Sequence, residues 1–211
     1  MSQLQVLLER GLAELAIEPL PTALAKLLEL ARLLARWAER VNLTGHRSEE
    51  QILRRLVLDA VALWQVLPPA SSIVDIGSGA GVPGLPLAIL APAASFTLVE
   101  ARLRRHHFEK AARRELGLDN VSLLLGRIEE LAPEPADLIV AQAVAAPAIV
   151  VEWMLPWAAP GGWLAIPGSA GAPGPDLASR SVDQLESATI LTYQVPLEGP
   201  ERTLWLGRRR I

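Results

Sequence analysis

The sequence predicts an α/β fold: a mostly parallel sheet of seven strands with helices on both faces, preceded by a helical extension. Three observations predict it. From Ser71 onward, short apolar runs alternate with helical stretches, the pattern of consecutive βαβ units. The last two apolar runs are separated only by EGPE, too little chain for a crossover, so they form an antiparallel hairpin. Before Leu67, apolar residues recur at helical spacing.

The elements follow in order. In TALAKLLELARLLARWAERV, leucines and alanines fill one face, while Arg32, Arg36, Glu39 and Arg40 take the other. VNLTGH breaks the pattern at Asn42 and Gly45. SEEQ, Ser48 to Gln51, is a capping box opening the next helix, which carries Arg54, Arg55 and Asp59. This places a helical extension at residues 1–67 and a sheet domain at 68–211. SIVDI, FTLVE, VSLLL, DLIVA and WLAIP are the five parallel strands, and ATILTYQVPL with RTLWLG forms the hairpin. The basic helix Arg102 to Arg114 turns Leu103, Phe108, Ala111 and Ala112 to one side, where they cover the sheet. PGSAGAPGPDLAS, Pro167 to Ser179, reads as a flexible loop.

Composition removes several classes of function. With 51% apolar residues in a chain of 211, a sizeable core is easily buried. The absence of cysteine removes disulfides, thiolate metal sites and cysteine nucleophiles. MSQLQVLLER has no basic start and reaches Glu9 and Arg10 too early for a signal peptide, so a cytoplasmic location is expected. The most apolar stretch, Val144 to Pro167, contains Glu152 and is broken by Pro147, Pro156 and Pro160; it reads as buried segments and turns. The net charge of −3 gives no global basic field. Eighteen arginines stand against two lysines, which suits phosphate recognition but follows equally from GC-rich coding.

The most informative stretch is VDIGSGAGVPG, Val74 to Gly84. Gly77, Gly79, Gly81 and Gly84 follow the first strand, at the carboxyl edge where open α/β sheets bind ligands. The second strand ends at Glu100, about twenty residues on, where a carboxylate can bond both hydroxyls of a ribose. Together these point to an adenosine-containing cofactor. Gly79-x-Gly81-x-x-Gly84 also matches the dinucleotide fingerprint, so an NAD-binding Rossmann protein is an alternative. Against it, Gly77 already follows Asp75-Ile76, and the chain lacks a second half-sheet and substrate domain. The D-x-G-x-G-x-G opening and the terminal hairpin favour the Rossmann-like fold of S-adenosylmethionine-dependent methyltransferases, by analogy of fold. At the third strand's end, GRIEE puts Gly126, Arg127, Ile128 and Glu129 beside the expected adenine, with Ile128 suited to pack on the base.

The acceptor is narrowed by what is missing. There is no cysteine for pyrimidine carbon methylation, and VAQAVAAP replaces the Asn/Asp-Pro-Pro-aromatic turn of exocyclic amine methylation. No acidic cluster stands at the fourth strand's end for magnesium, so no metal is expected. His106 and His107 are expected to be solvated, and His46 has no partner at ligand spacing. Guanine N7 fits such a site, because its lone pair attacks a methyl group without losing a proton and needs chiefly alignment.

WAERVNLTG, RRLVLDAV, VDIGSGAGVPGLPLAIL, the Glu100 strand end, RELGLDN, GRIEE and PGG together resemble the glucose-inhibited division protein B family, RsmG, from about residue 30 onward. That resemblance implies an S-adenosylmethionine-dependent 16S rRNA (guanine-N7) methyltransferase, whose partner is 16S ribosomal RNA or the small ribosomal subunit, with no membrane. Carried over by position, cofactor contacts fall on Gly77, Val82, Ile128 and Glu129, with Gly79 in the same loop, Glu100 at the ribose and Gln142 in the fourth-strand turn. The chain departs from the family pattern there: Gln142 replaces an arginine, Leu56 and Ala60 replace a histidine and a serine, and Pro167 replaces a lysine. Two readings follow, a working RNA methyltransferase and a cofactor-binding but catalytically degenerate relative. Arg32, Arg36, Arg40, Arg47, Arg54, Arg55 and Arg208 to Arg210 are candidates for gripping RNA phosphates, against a plain reading as solvated faces.

Overall fold

The computed structural model describes residues 2–211, without the side chains of 179 and 180. The extension folds as α1 (Gln3–Glu14), α2 (Pro21–Ala38), α3 (Glu49–Ile52) and α4 (Leu58–Trp64), with a π-helical turn at Leu53–Val57 joining the last two. Leu27, Leu30, Ala31 and Leu34 of α2 recur at the predicted spacing and are all buried. Ser48 caps α3, its Oγ accepting from Gln51 N at 3.2 Å. The return bond of the capping box is displaced by one residue, since Gln51 Oε1 accepts from Arg47 N at 3.4 Å.

The sheet comprises β1 (Ser72–Ile76), β2 (Ser95–Glu100), β3 (Val121–Leu125), β4 (Ala136–Ala141), β5 (Ala158–Ser169), β6 (Leu185–Gln194) and β7 (Glu201–Arg209). Its order is β3-β2-β1-β4-β5-β7-β6. The first five strands pair in parallel, and β7 lies antiparallel to both β5 and β6. Connections run outward from β1 to one side and from β4 to the other, so the order reverses between these two neighbours. Strand positions match the predicted runs with two exceptions: β5 starts well before its apolar segment, taking in PGG, and β6 lies three residues earlier at each end than ATILTYQVPL.

Alternation along the strands divides the core between the two faces. Ile73, Phe96, Leu98, Leu138 and Val140 face α5 (Gly84–Leu90), α6 (Leu103–Leu116) and the extension in one continuous cluster with Leu8, Leu34 and Val61. Val74, Ile76, Val99 and Ile139 face α7 (Pro147–Met154) and Trp157. The extension is therefore a second layer over α5 and α6. Trp37 of α2 meets Phe108 of α6 edge-on, with ring centroids 5.6 Å apart at 69°. Leu103, at the first turn of α6, is exposed rather than on the covering face.

Residues 170–178 carry no regular structure beyond a turn, as expected, and α8 (Ser179–Val182) follows. Pro167 is an interior residue of β5, opposite Leu204 of β7. The ladder to β4 ends at Val140–Ala165, so Pro167 stands beyond it, where no bond to β4 needs its missing N–H. Among the described residues, no helix is long and apolar enough to cross a membrane.

Phe108 is fully buried at the seam between extension and sheet. Phe108→Ala should lower unfolding free energy by about 3–5 kcal/mol. Chemical denaturation followed by tryptophan fluorescence and far-ultraviolet circular dichroism measures this, and because the core is continuous the two probes should shift together.

Candidate active site

The loop between β1 and α5 stands at the carboxyl edge of the sheet, with a cleft on either side. Three buried carboxylates from three elements hold it. Asp75, at the end of β1, accepts from Gly84 N at 2.8 Å, and Glu100, at the end of β2, accepts from Gly79 N at 3.0 Å. Glu109 of α6 meets Ser78 Oγ at 2.5 Å. Two glycines are required for close approach. Gly77 has φ +69°, and a Cβ there would stand 2.7 Å from the Val144 side chain. A Cβ on Gly84 would stand 2.7 Å from Asp75 Oδ2, displacing the bond that anchors the loop to the helix.

The first cleft, of about 510 Å³, opens where β1, β2 and β3 end. Gly77, Glu100, Ile128 and Glu129 line it, as does Trp153 of α7. Glu100 is 4% exposed and already accepts from Gly79 N and, at 2.6 Å, from Arg102 N. A carboxylate has lone pairs for more than these two, so a diol can still bond it. Arg105 Nη1 lies 3.9 Å from Glu100 Oε2. Ile128 is buried in a short 3₁₀ turn, Ile128–Glu130, with its side chain against Val74, Ile76 and Val99. An apolar wall, an acid at the β2 end and a bare loop backbone fit an adenosine carrying a short charged chain.

The second cleft, also about 510 Å³, lies on the other side of the loop. Val82 and Gln142 line this one and not the first, so the structure separates them from the other predicted contacts. Gly79 is buried within the loop and lines neither. Leu56 and Ala60 share the second cleft with Gln142, whereas Pro167 lines neither cleft. Three of the four departures from the family pattern are therefore neighbours, all outside the first cleft. Ala143 lines both clefts and has φ +54°, a left-handed conformation unfavourable for a residue with a Cβ.

Sequence reasoning missed one group entirely. Asp59 Oδ2 accepts from Arg202 Nε at 3.0 Å and Nη2 at 2.8 Å, while Tyr193 Oη donates to Asp59 Oδ1 at 3.1 Å. Burial raises the Asp59 carboxyl above its ordinary value, opposed by the Arg202 guanidinium. The forked contact to the guanidinium favours the charged carboxylate against that burial. Asp59 and Arg202 are 143 residues apart, a separation that leaves no local signature.

His106 corrects an expectation. It is 3% exposed, because it shares the buried face of α6 with Glu109 and Ala112; His107 alone is solvated. The His106 Nδ1 and Glu109 Oε2 atoms lie 3.8 Å apart, each buried without a hydrogen bond. Burial lowers the His106 pKa and so favours a neutral imidazole. Of the proposed RNA-gripping arginines, Arg32 and Arg36 pair with Glu29, Arg54 with Glu50 and Arg208 with Glu186, so acidic neighbours offset these charges.

Comparison with known proteins decides the family. The sequence profile of the GidB family, rRNA small subunit methyltransferase G, matches residues 23–182. Ribosomal RNA small subunit methyltransferase G of Chromohalobacter salexigens is 36% identical over 206 residues, 96% of each chain. The protein of that name from Neisseria meningitidis serogroup C is 37% identical over 146 residues, 69% of this chain and 70% of that one. This chain belongs to the GidB family. Among solved structures, PigF with SAH aligns at TM-score 0.59 and 14% identity, covering 76% of this chain and 57% of that one. M. jannaschii TYW2 in complex with AdoMet aligns at TM-score 0.53 and 13% identity, covering 72% and 75%. These likenesses show the fold. GidB membership sets aside the dinucleotide reading of the glycine spacing.

The carboxylates beneath the loop also carry a stability prediction. Burial, with the Asp75 and Glu100 charges adding to it, pushes Glu109 from 4.5 to about 8. Burial, opposed by the Gly84 N–H, pushes Asp75 from 3.8 to about 7. Each folded-state carboxyl then keeps a proton that the unfolded chain releases. The stability this contributes is full below the ordinary values and is lost as pH rises through the raised ones. Melting temperature should fall between about pH 5 and about pH 8, and Glu109→Gln should flatten that slope and gain most over the native chain near pH 8. Thermal melts across this range measure both.

Proposed function

We propose that the chain transfers a methyl group from S-adenosylmethionine to N7 of a guanine in 16S ribosomal RNA. The carrying observation is the first cleft at the carboxyl edge of the sheet, with the β2-end carboxylate Glu100 in its wall, in a chain of the GidB family. In this reading Glu100 accepts from the ribose hydroxyls, Ile128 packs on the adenine and Glu129 stands beside its polar edge. Gly77 lets the loop backbone approach the methionine portion. When bound, the cofactor supplies a methyl group on a sulfonium: the N7 lone pair forms the new C–N bond as the C–S bond breaks, the sulfur becomes a neutral thioether, and the positive charge passes to the guanine. No proton moves, so no general base is required of the chain. What its residues contribute is alignment of acceptor and methyl group. The degenerate reading rests on Leu56, Ala60, Gln142 and Pro167, all outside the first cleft, and no observation favours it.

Calorimetric titration with S-adenosylmethionine should show micromolar binding, with none for NAD. Labelled methyl transfer to unmodified small ribosomal subunits should yield N7-methylguanosine by mass spectrometry. Glu100→Ala should weaken S-adenosylmethionine binding by roughly 10- to 100-fold, the range of a hydrogen bond to a charged group. Absence of both binding and transfer in the native protein would overturn the assignment.

A further inference from the structure

The second cleft has the chemistry of a base pocket. Leu56, Leu63 and Pro83 supply apolar surface, while His46, Gln142 and Arg202 bring polar edges to the same space. It meets the first cleft at Ala143, whose left-handed backbone lies where a methyl group would pass from one to the other. A base buried in an RNA stack cannot reach such a site unless it is turned out of the stack.

The polar edge that matters is the Arg202 guanidinium. Its two bonds to Asp59 fix its plane and, among the described residues, leave three of its five N–H groups without a protein partner. Tyr193 donates to the other oxygen of the same carboxylate, so the anchor is held from both sides. All three line the cleft, Arg202 part-exposed and Asp59 and Tyr193 buried in its wall. Guanine carries O6, an acceptor, next to N7, and adenine carries an amino donor at that place. A guanidinium can only donate, so it accepts guanine and repels adenine. Because O6 and N7 share one edge, a donor fixed on O6 also sets the direction of the N7 lone pair.

We propose that the second cleft receives the extruded guanine, with Arg202 donating to O6 and selecting guanine, and with Asp59 and Tyr193 positioning Arg202. The proposal rests on the methyltransferase reading above. Gln142 stands in the same cleft, where the family pattern has an arginine, beside guanidinium groups from Arg55 and Arg202.

Three readouts test it on the full chain: kcat/KM and KM for methyl transfer to unmodified small subunits, calorimetric affinity for S-adenosylhomocysteine, and saturation-transfer NMR with guanosine and adenosine 5′-monophosphates in its presence. Arg202→Gln should lower kcat/KM by roughly 10- to 100-fold, the loss of a charge-assisted bond. It should also abolish the preference for the guanine nucleotide and leave S-adenosylhomocysteine affinity within twofold. Tyr193→Phe should lower kcat/KM by roughly three- to tenfold with the same unchanged affinity, as loss of one neutral bond predicts. If Arg202→Gln does not fold, Arg202→Lys keeps a charge on Asp59 but loses the fork, and should show the same loss of guanine preference. Native-like kcat/KM in whichever Arg202 variant folds would overturn the proposal. So would a native protein that shows no preference between the two nucleotides, even if it methylates subunits. Failure of the native protein to bind S-adenosylmethionine or to methylate any substrate would instead overturn the underlying function, while the nucleotide comparison still judges the pocket.

Discussion

The loop from β1 to α5 depends on carboxylates that have left water. Asp75, Glu100 and Glu109 come from a strand end, a second strand end and a covering helix, and each takes a different point of one short loop. A buried carboxyl is costly unless it is paired or protonated. Glu100 satisfies that requirement with backbone N–H groups, while Asp75 and Glu109 are driven toward the protonated form. The result is a loop whose backbone is fixed from beneath, with a cleft against each of its two ends.

The clefts differ in how they are built. The first belongs to the sheet: its walls are strand ends and the turns that follow them. The second is assembled from four distant parts of the chain, with Leu56 from the extension, Val82 from the glycine loop, Gln142 from the turn after β4 and Arg202 from β7. The Asp59–Arg202 pair closes that assembly, tying the extension to the terminal hairpin. Removing Arg202 would leave the Asp59 carboxyl buried without its counter-charge, so this contact constrains the hairpin as well as the site. The hairpin is therefore more than a cover for β5, since it carries Arg202 to the carboxyl edge.

The sequence carried enough to describe the sheet. Strand runs such as SIVDI and DLIVA sit in the structure almost where their β-branched residues begin and end. The capping residue Ser48 and the glycines after Ile76 also lie where local chemistry demanded them. Reasoning from helix positions failed at His106: Phe108, Ala111 and Ala112 marked the buried face of α6, but the polar His106 beside them read as solvated although it shares that face. It separated neighbours poorly too: Gly77 and Val82 read as one site, yet the loop turns between them and presents them to opposite clefts.

Local interactions along the chain determined the helices, the strands, the parallel order with its terminal hairpin, and the glycine loop that follows β1. These depend on periodicity and turn chemistry within about a dozen residues, so they are written in the order of the amino acids. Tertiary structure alone decided which acids became buried and held protons, which two clefts the loop divides, and that Asp59, Tyr193 and Arg202 would share one carboxylate. Those outcomes depend on desolvation and on contacts up to 143 residues apart, and neither quantity exists until the layers have packed.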